Sequence, residues 1–204
     1  MAVFLYFAFG SNMLTERLRA RCPSAVRVGI AEATNFVLEF SKRSKDESGK
    51  ATLVATDAQN SRSLGIVFEI DKAEQRALDK FEGQGRGYNA DDSFAVRLLD
   101  DGTMVRTRTY LSAASRSDLR PYDWYLALII AGAQEHALDR EYVARLREVA
   151  YDVDSDKGRQ TRRLAVAALA LAGFPDYRTL LPPGPSLASA SFLPAGRHSS
   201  LSSG

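Results

Sequence analysis

Two short segments hold residue types that could do chemistry. The first reads Tyr6-Phe7-Ala8-Phe9-Gly10-Ser11-Asn12. An apolar run ends at a glycine, and a small polar pair follows where a helix can begin. The glycine lets a ligand approach the backbone, and the first N–H groups of a helix lack internal partners. Such a turn can hold an anion or a developing oxyanion. It can equally be a plain strand-to-helix connection. The second segment reads Leu78-Asp79-Lys80-Phe81-Glu82-Gly83. Ala73, Ala77, Leu78 and Phe81 give one apolar face at helical spacing, so Glu82 falls at the end of an amphipathic helix. The helix dipole is negative there, and Phe81 stands beside the carboxyl as an apolar cover. A carboxyl so placed can serve as a general base near neutral pH. A solvated surface glutamate is the other reading of the same residues.

The remaining composition excludes several chemistries. The histidines are His136 and His198 alone, and no Cys or His pair has metal-ligand spacing. No metal site is therefore expected. A Ser-His-Asp triad would have to use His136, and no G-x-S-x-G elbow accompanies it. His136 reads as a polar helix residue. Gly83, Gly85 and Gly87 follow a helix rather than a strand, so they do not make a dinucleotide site. No cofactor is expected. The single cysteine, Cys22, has no partner for a disulfide; it reads as structural and fits a reducing compartment. Basic and acidic residues nearly balance, 27 against 25, and they are interleaved. That argues against a nucleic-acid partner. The apolar run 124–133 is far shorter than the roughly 17–25 residues of a membrane span, and the opening MAVFLYFAF lacks a basic leader. A soluble cytoplasmic protein without a membrane partner is the expectation.

The elements that must position the two segments can be read from pattern. Residues 3–9 form a buried strand, and Asn12 caps a helix that Pro23 stops. Residues 35–40 and 51–56 are β-type runs, with a mobile polar loop, 41–50, between them. Residues 64–70 form another buried strand. Asp71 caps the next helix, Glu74 completes a capping box, and Gly83 ends it. Asp101-Gly102 between the runs 93–99 and 104–111 signals a hairpin. Helices follow over 121–137, 139–151 and 155–172. Strands first and helices late imply an α+β domain on a mostly antiparallel sheet. The expected organisation is one domain over 1–150, a helical extension over 151–181, and a disordered tail over 182–204, which is rich in Pro, Ser, Gly and Ala.

Taken together, LYFAFGSNMLTERLRARCPSA and GIVFEI followed by LDKFEG resemble the γ-glutamylcyclotransferase family, within the AIG2-like superfamily. The similarity runs from about Leu5 to Tyr142. The resemblance implies a small mixed β-barrel flanked by helices, with a substrate cavity at one end. It places the family's acid/base glutamate on Glu82 and the glutamyl-binding loop on Tyr6, Phe7, Ala8, Phe9, Gly10, Ser11 and Asn12. The tyrosine after the Gly83–Gly87 turn falls on Tyr88. A substrate-contacting tyrosine on a late helix falls on Tyr125, which shares a face with Ile129 and Gly132. Phe9 replaces the family's usual tyrosine, so one hydroxyl is missing from the loop. The family includes homodimers, so a homodimer is possible.

The implied reaction needs no cofactor and no catalytic Ser or Cys, because the nucleophile belongs to the substrate. The α-amine of a γ-glutamyl amide attacks its own γ-carbonyl, giving 5-oxoproline and a free amine or amino acid. Well-oriented intramolecular attack reaches effective molarities of roughly 10⁵–10⁸ M. The alternatives are a cyclotransferase for γ-glutamylamines or a larger acylated compound, and a non-catalytic binding module that keeps the cavity.

Overall fold

The computed structural model describes residues 2–85, 87–112, 114, 116 and 118–182. Strand β1 (Val3–Ala8) pairs antiparallel with β5 (Arg62–Asp71), from Val3 opposite Asp71 to Ala8 opposite Ile66. The other edge of β5 carries β2 (Val26–Thr34), which has a bulge between Arg27 and Gly29. β2 in turn pairs with β6 (Tyr88–Leu98), and β6 forms a hairpin with β7 (Met104–Ser112). A parallel bridge, Tyr6 to Arg108, returns β7 to β1 and closes the barrel in the order β1-β5-β2-β6-β7. Closure leaves no free edge in this sheet. The fold is α+β, with a closed five-stranded mixed barrel flanked by helices.

β3 (Phe36–Arg43) and β4 (Gly49–Ala55) form a separate hairpin. The stretch 41–50 is therefore not one long loop; strands take both its ends, and residues 44–48 make the turn. Asn35 turns the chain from β2 into β3 with φ of 63°. The β6–β7 hairpin turns at Asp101-Gly102 as its sequence requires, with Gly102 at φ 75° and Asp101 Oδ1 accepting from Thr103 N.

Helix α1 is short (Thr15–Arg19), and α2 (Gln75–Glu82) ends at Gly83, which is left-handed at φ 68°. Helix α3 (Asp123–Glu135) is buried from Asp123 to Ala133, as an all-round apolar helix must be. Gly132 permits its closest approach. A Cβ there would lie 2.5 Å from Leu14 N and 2.7 Å from Met13 C. α4 (Arg140–Arg147) and α5 (Gln160–Leu171) follow. Ala165, Leu169, Tyr177 and Leu180 join the same core as the barrel, Tyr177 Oη donates to Asp123 Oδ2 and Trp124 Nε1 donates to Asp154 Oδ2. The disorder expected beyond Pro182 concerns residues outside those described. Among the described residues no helix is long and apolar enough to cross a membrane.

Two caps differ from the sequence reading. Asn12 caps nothing: α1 begins at Thr15 after a 3-10 turn over Ser11–Met13, and the Asn12 amide is used elsewhere. Asp71 does cap, accepting from Ala73 N, but Glu74 does not close a capping box. Its carboxylate accepts from Ser24 N and Oγ, while Asp71 N donates to Ser24 Oγ. A long-range partner displaced the local one.

Candidate active site

The barrel brings the two chemical segments to one cavity of about 30 Å³. Tyr6, Phe9, Gly10, Ser11, Asn12, Glu82, Tyr88 and Tyr125 line it. Phe7 and Ala8 do not. The Phe7 ring is fully buried and stacks on Phe94, and both residues belong to the packing of β1. Ala51 and Tyr110 complete the lining.

Each side chain is held by its element. β1 presents Tyr6, whose Oη accepts from Asn12 Nδ2 at 3.0 Å. The same Nδ2 donates to Glu82 Oε1 at 2.7 Å. Helix α1 and its C-terminal turn add two arginines one helical turn apart. Arg17 Nε donates to Ser11 Oγ at 3.0 Å. Arg21 Nη1 donates to Asn12 Oδ1 and to Glu82 Oε1, both at 2.9 Å. Glu82 and Arg21 side chains are each 17% exposed, so this pair is shielded but reachable. Glu82 Oε2 makes no hydrogen bond among the described residues. The N–H groups of Ser11 and Asn12 are likewise unbonded among them, as the first turn of a helix leaves them.

Phe81 does not cover the carboxylate as its position suggested. Its ring is 55% exposed, with the Arg21 guanidinium 5.3 Å from its centre. Arg21 and Asn12 flank Glu82 instead.

The end of α2 is tied to the barrel one turn before Glu82. Asp79 Oδ1 accepts from Arg108 Nη2 and from Tyr110 Oη, both at 2.6 Å. Arg108 also pairs with Asp92. On the opposite wall, Ala51 is clamped through its backbone: its N–H donates to Tyr125 Oη at 3.1 Å, and its carbonyl accepts from Tyr88 Oη at 2.7 Å. Gly10 faces this clamp, and a Cβ there would lie 3.3 Å from Ala51 Cβ and 3.7 Å from Tyr125 Oη. Burial raises the pKa of every phenol in the cavity. Tyr125 reaches about 12, Tyr6 and Tyr88 rise well above the usual value, and the Glu82 charge adds to the burial effect in all three. All three remain neutral donors and acceptors at physiological pH.

Glu82 also borders a wider cleft of about 670 Å³, which Lys42, Lys45, Asp46, Asp79 and Lys80 help to line. The carboxylate therefore stands where the narrow cavity meets the open one.

Sequence reasoning missed Arg21, Tyr110 and Ala51. Arg21 had a usable signal, since it lies nine residues past Asn12 in the same matched segment. Ala51 had none, because its contribution is backbone. His136 sits apart from the cavity: its Nε2 donates to Met13 O at 2.9 Å and ties α3 to the loop. Among the described residues no group of His, Cys, Asp and Glu is placed to hold a metal ion.

A closed mixed barrel with this loop at one end is the γ-glutamylcyclotransferase-like fold. A solved structure of γ-glutamyl cyclotransferase superposes with a TM-score of 0.72 at 29% identity, covering 79% of this chain and 96% of that one. The γ-glutamylcyclotransferases of Bos taurus and Homo sapiens are each 32% identical over 151 residues, 72% of this chain and 78% of theirs. The model of the AIG2-like family matches residues 63–146, the stretch that carries Glu82, Tyr88 and Tyr125. The chain belongs to the γ-glutamylcyclotransferase family of enzymes.

Proposed function

We propose that this protein releases 5-oxoproline from a γ-glutamyl amide, with Glu82 moving the protons. The reading rests on one observation above all: the Glu82 carboxylate and the Gly10–Asn12 loop share a cavity and are joined by the Asn12 amide at 2.7 Å. The Glu82 carboxylate takes a proton from the substrate α-ammonium. The freed amine attacks the γ-carbonyl carbon, and a C–N bond closes the five-membered ring. Glu82 then gives its proton to the γ-linked nitrogen as that C–N bond breaks, and it passes the second proton shed by the ring nitrogen to the departing amine. Oε2 is the oxygen free for this traffic while Oε1 stays held by Asn12 and Arg21. The open N–H groups of Ser11 and Asn12 supply polar stabilisation for the substrate carboxylate or the oxyanion.

The polar lining of the narrow cavity, with its loop N–H groups and Glu82, suits the glutamyl part, and the wider cleft that opens from it has room for the leaving group. Lys42, Lys45 and Lys80 along that cleft have no carboxylate within ion-pair distance among the described residues. This favours a leaving group that carries a carboxylate, as an amino acid or peptide does, over a simple amine. The test is a chromatographic assay for 5-oxoproline with γ-glutamyl amino acids, γ-glutamylamines and glutathione. Turnover of the carboxylate-bearing substrates supports the reading. Faster turnover of γ-glutamylamines reverses the leaving-group assignment. An inert protein that binds 5-oxoproline would be a binding module instead.

A further inference from the structure

The β3–β4 hairpin supplies one wall of the cavity, yet its two strands belong to no larger sheet. Something else must hold it in place. Lys50, the residue before Ala51, projects into a cage on the first turn of α3. Its Nζ lies 4.6 Å from the Tyr125 ring centre, 4.8 Å from Trp124 and 5.8 Å from Tyr122. It donates to Asp46 Oδ2 at 3.1 Å and to Ser48 Oγ at 2.7 Å. Asp46 is fixed in turn, because its Oδ1 accepts from Ser48 N and Oγ and its backbone carbonyl accepts from Tyr122 Oη. Side-chain exposure is 13% for Lys50 and 11% for Asp46, so solvent screens this pair poorly.

We propose that Lys50 is a positioning residue, whose caged ammonium, aimed by Asp46 of the same hairpin's turn, latches the hairpin to α3 so that the Ala51 backbone sits between Tyr125 and Tyr88. The inference rests on the cyclotransferase reading for its kinetic consequence. Its geometry needs only the structure. A lysine stem would fill the cage equally well without charge. What the charge adds is the contact with Asp46 and attraction to three ring faces.

The groups around the ammonium decide when it is charged. Asp46 favours the charged form, while burial first, then Arg17 from α1 and Lys42 from β3, oppose it. Arg159 stands over the far ring, Tyr122, at 5.4 Å and is itself paired with Asp154. The balance lowers the Lys50 pKa to about 8. An unfolded lysine titrates near 10.4, so between these values the unfolded chain holds more protons and this group makes folding more favourable as pH rises. The same linkage holds for the latch: a Lys50 freed into water would hold its proton more tightly than the caged one, so the latch tightens as pH rises from about 8 toward 10.4.

The test is the pH dependence of 5-oxoproline release by wild type, Lys50→Met and Asp46→Asn, with melting temperatures alongside. The substrate amine titrates identically in all three. Lys50→Met should raise KM about tenfold at pH 7, the cost of roughly one hydrogen bond to a charged group, and should lack the fall in KM that wild type shows above pH 8 as the latch tightens. Asp46→Asn should keep that fall but move it to lower pH, so it serves even if Lys50→Met folds poorly. Wild-type KM and an unchanged profile in both variants would overturn the proposal. The Ala51 amide resonance provides a readout independent of turnover. It should shift near pH 8 in wild type and stay still in Lys50→Met; a wild-type amide that does not move also overturns the latch. A wild type that releases no 5-oxoproline from any substrate refutes the cyclotransferase reading, while the resonance still decides on Lys50.

Discussion

Asn12 and Glu82 lie 70 positions apart and share a 2.7 Å hydrogen bond, with the amide donating to the carboxylate. The bond joins the end of helix α2 to the loop after β1, and the same amide reaches Tyr6. Glu82→Gln keeps the size of the side chain and removes its base. Release of 5-oxoproline should fall by about 10²–10⁴-fold, the usual contribution of a general acid/base. The melting temperature and 5-oxoproline binding by calorimetry should change little. Near-normal turnover would remove Glu82 from the mechanism.

Arg21 spans Asn12 and Glu82 with one nitrogen. Arg21→Met keeps an apolar stem but loses both donated hydrogen bonds and the guanidinium over Phe81. A hydrogen bond to a charged group is worth about 1.5–3 kcal/mol, so kcat/KM should drop roughly 10–100-fold. Steady-state kinetics on the best substrate decide this, and a wild-type value would make the ion pair incidental to the site.

Gly10 has a negative φ of −112°, so no left-handed conformation calls for glycine there, and the space beside it is what a side chain would take. In Gly10→Ala the new methyl meets Ala51 Cβ at 3.3 Å inside a cavity of only about 30 Å³. KM should rise and kcat should fall, while the fold holds. Unchanged constants would mark the turn as merely structural.

Gly132→Ala should act on stability. Its methyl meets backbone atoms of Met13 and Leu14 at 2.5–2.7 Å, and backbone cannot swing aside. Overpacking of this kind costs about 1–3 kcal/mol. Denaturant unfolding should show it, and because the displaced backbone continues the Ser11–Met13 turn, substrate affinity should suffer as well. Full stability would mean that α3 can slide.

His136 gives a stability signal in mild acid. Burial lowers its pKa below the free value of about 6.5, partly countered by Glu135. The unfolded chain therefore binds the proton more readily, and stability is lost as pH falls below that value. Thermal melts from pH 7.5 to 5 should show a shallower decline for His136→Gln than for wild type. Identical slopes would show that this histidine does not govern the acid limb.

What was legible in the sequence was what local rules decide. Gly83 ends α2 because a left-handed residue is needed there, and Asp101-Gly102 turns the β6–β7 hairpin for the same kind of reason. The gathering of Tyr6, Asn12, Glu82, Tyr88 and Tyr125 around one cavity could be anticipated only through family resemblance, since no periodicity links them. Three of the misreadings share one cause. Asn12, Glu74 and Phe81 each had a sensible local role, and each took a distant or solvent-facing partner instead: Tyr6 and Glu82, Ser24, and the Arg21 guanidinium. Ala51 was invisible because any residue type offers the same backbone groups to Tyr88 and Tyr125.

The barrel is sealed by its first strand lying parallel to its last, at Tyr6 and Arg108. During synthesis β1 emerges first, yet neither of its neighbours exists until the chain has grown past residue 62 on one side and residue 104 on the other. The loop carrying Gly10 to Asn12 must wait, unseated, until both have been made. Nascent chains that stop short of Ser112 should therefore lack the seated loop, however well β1 and β5 have paired.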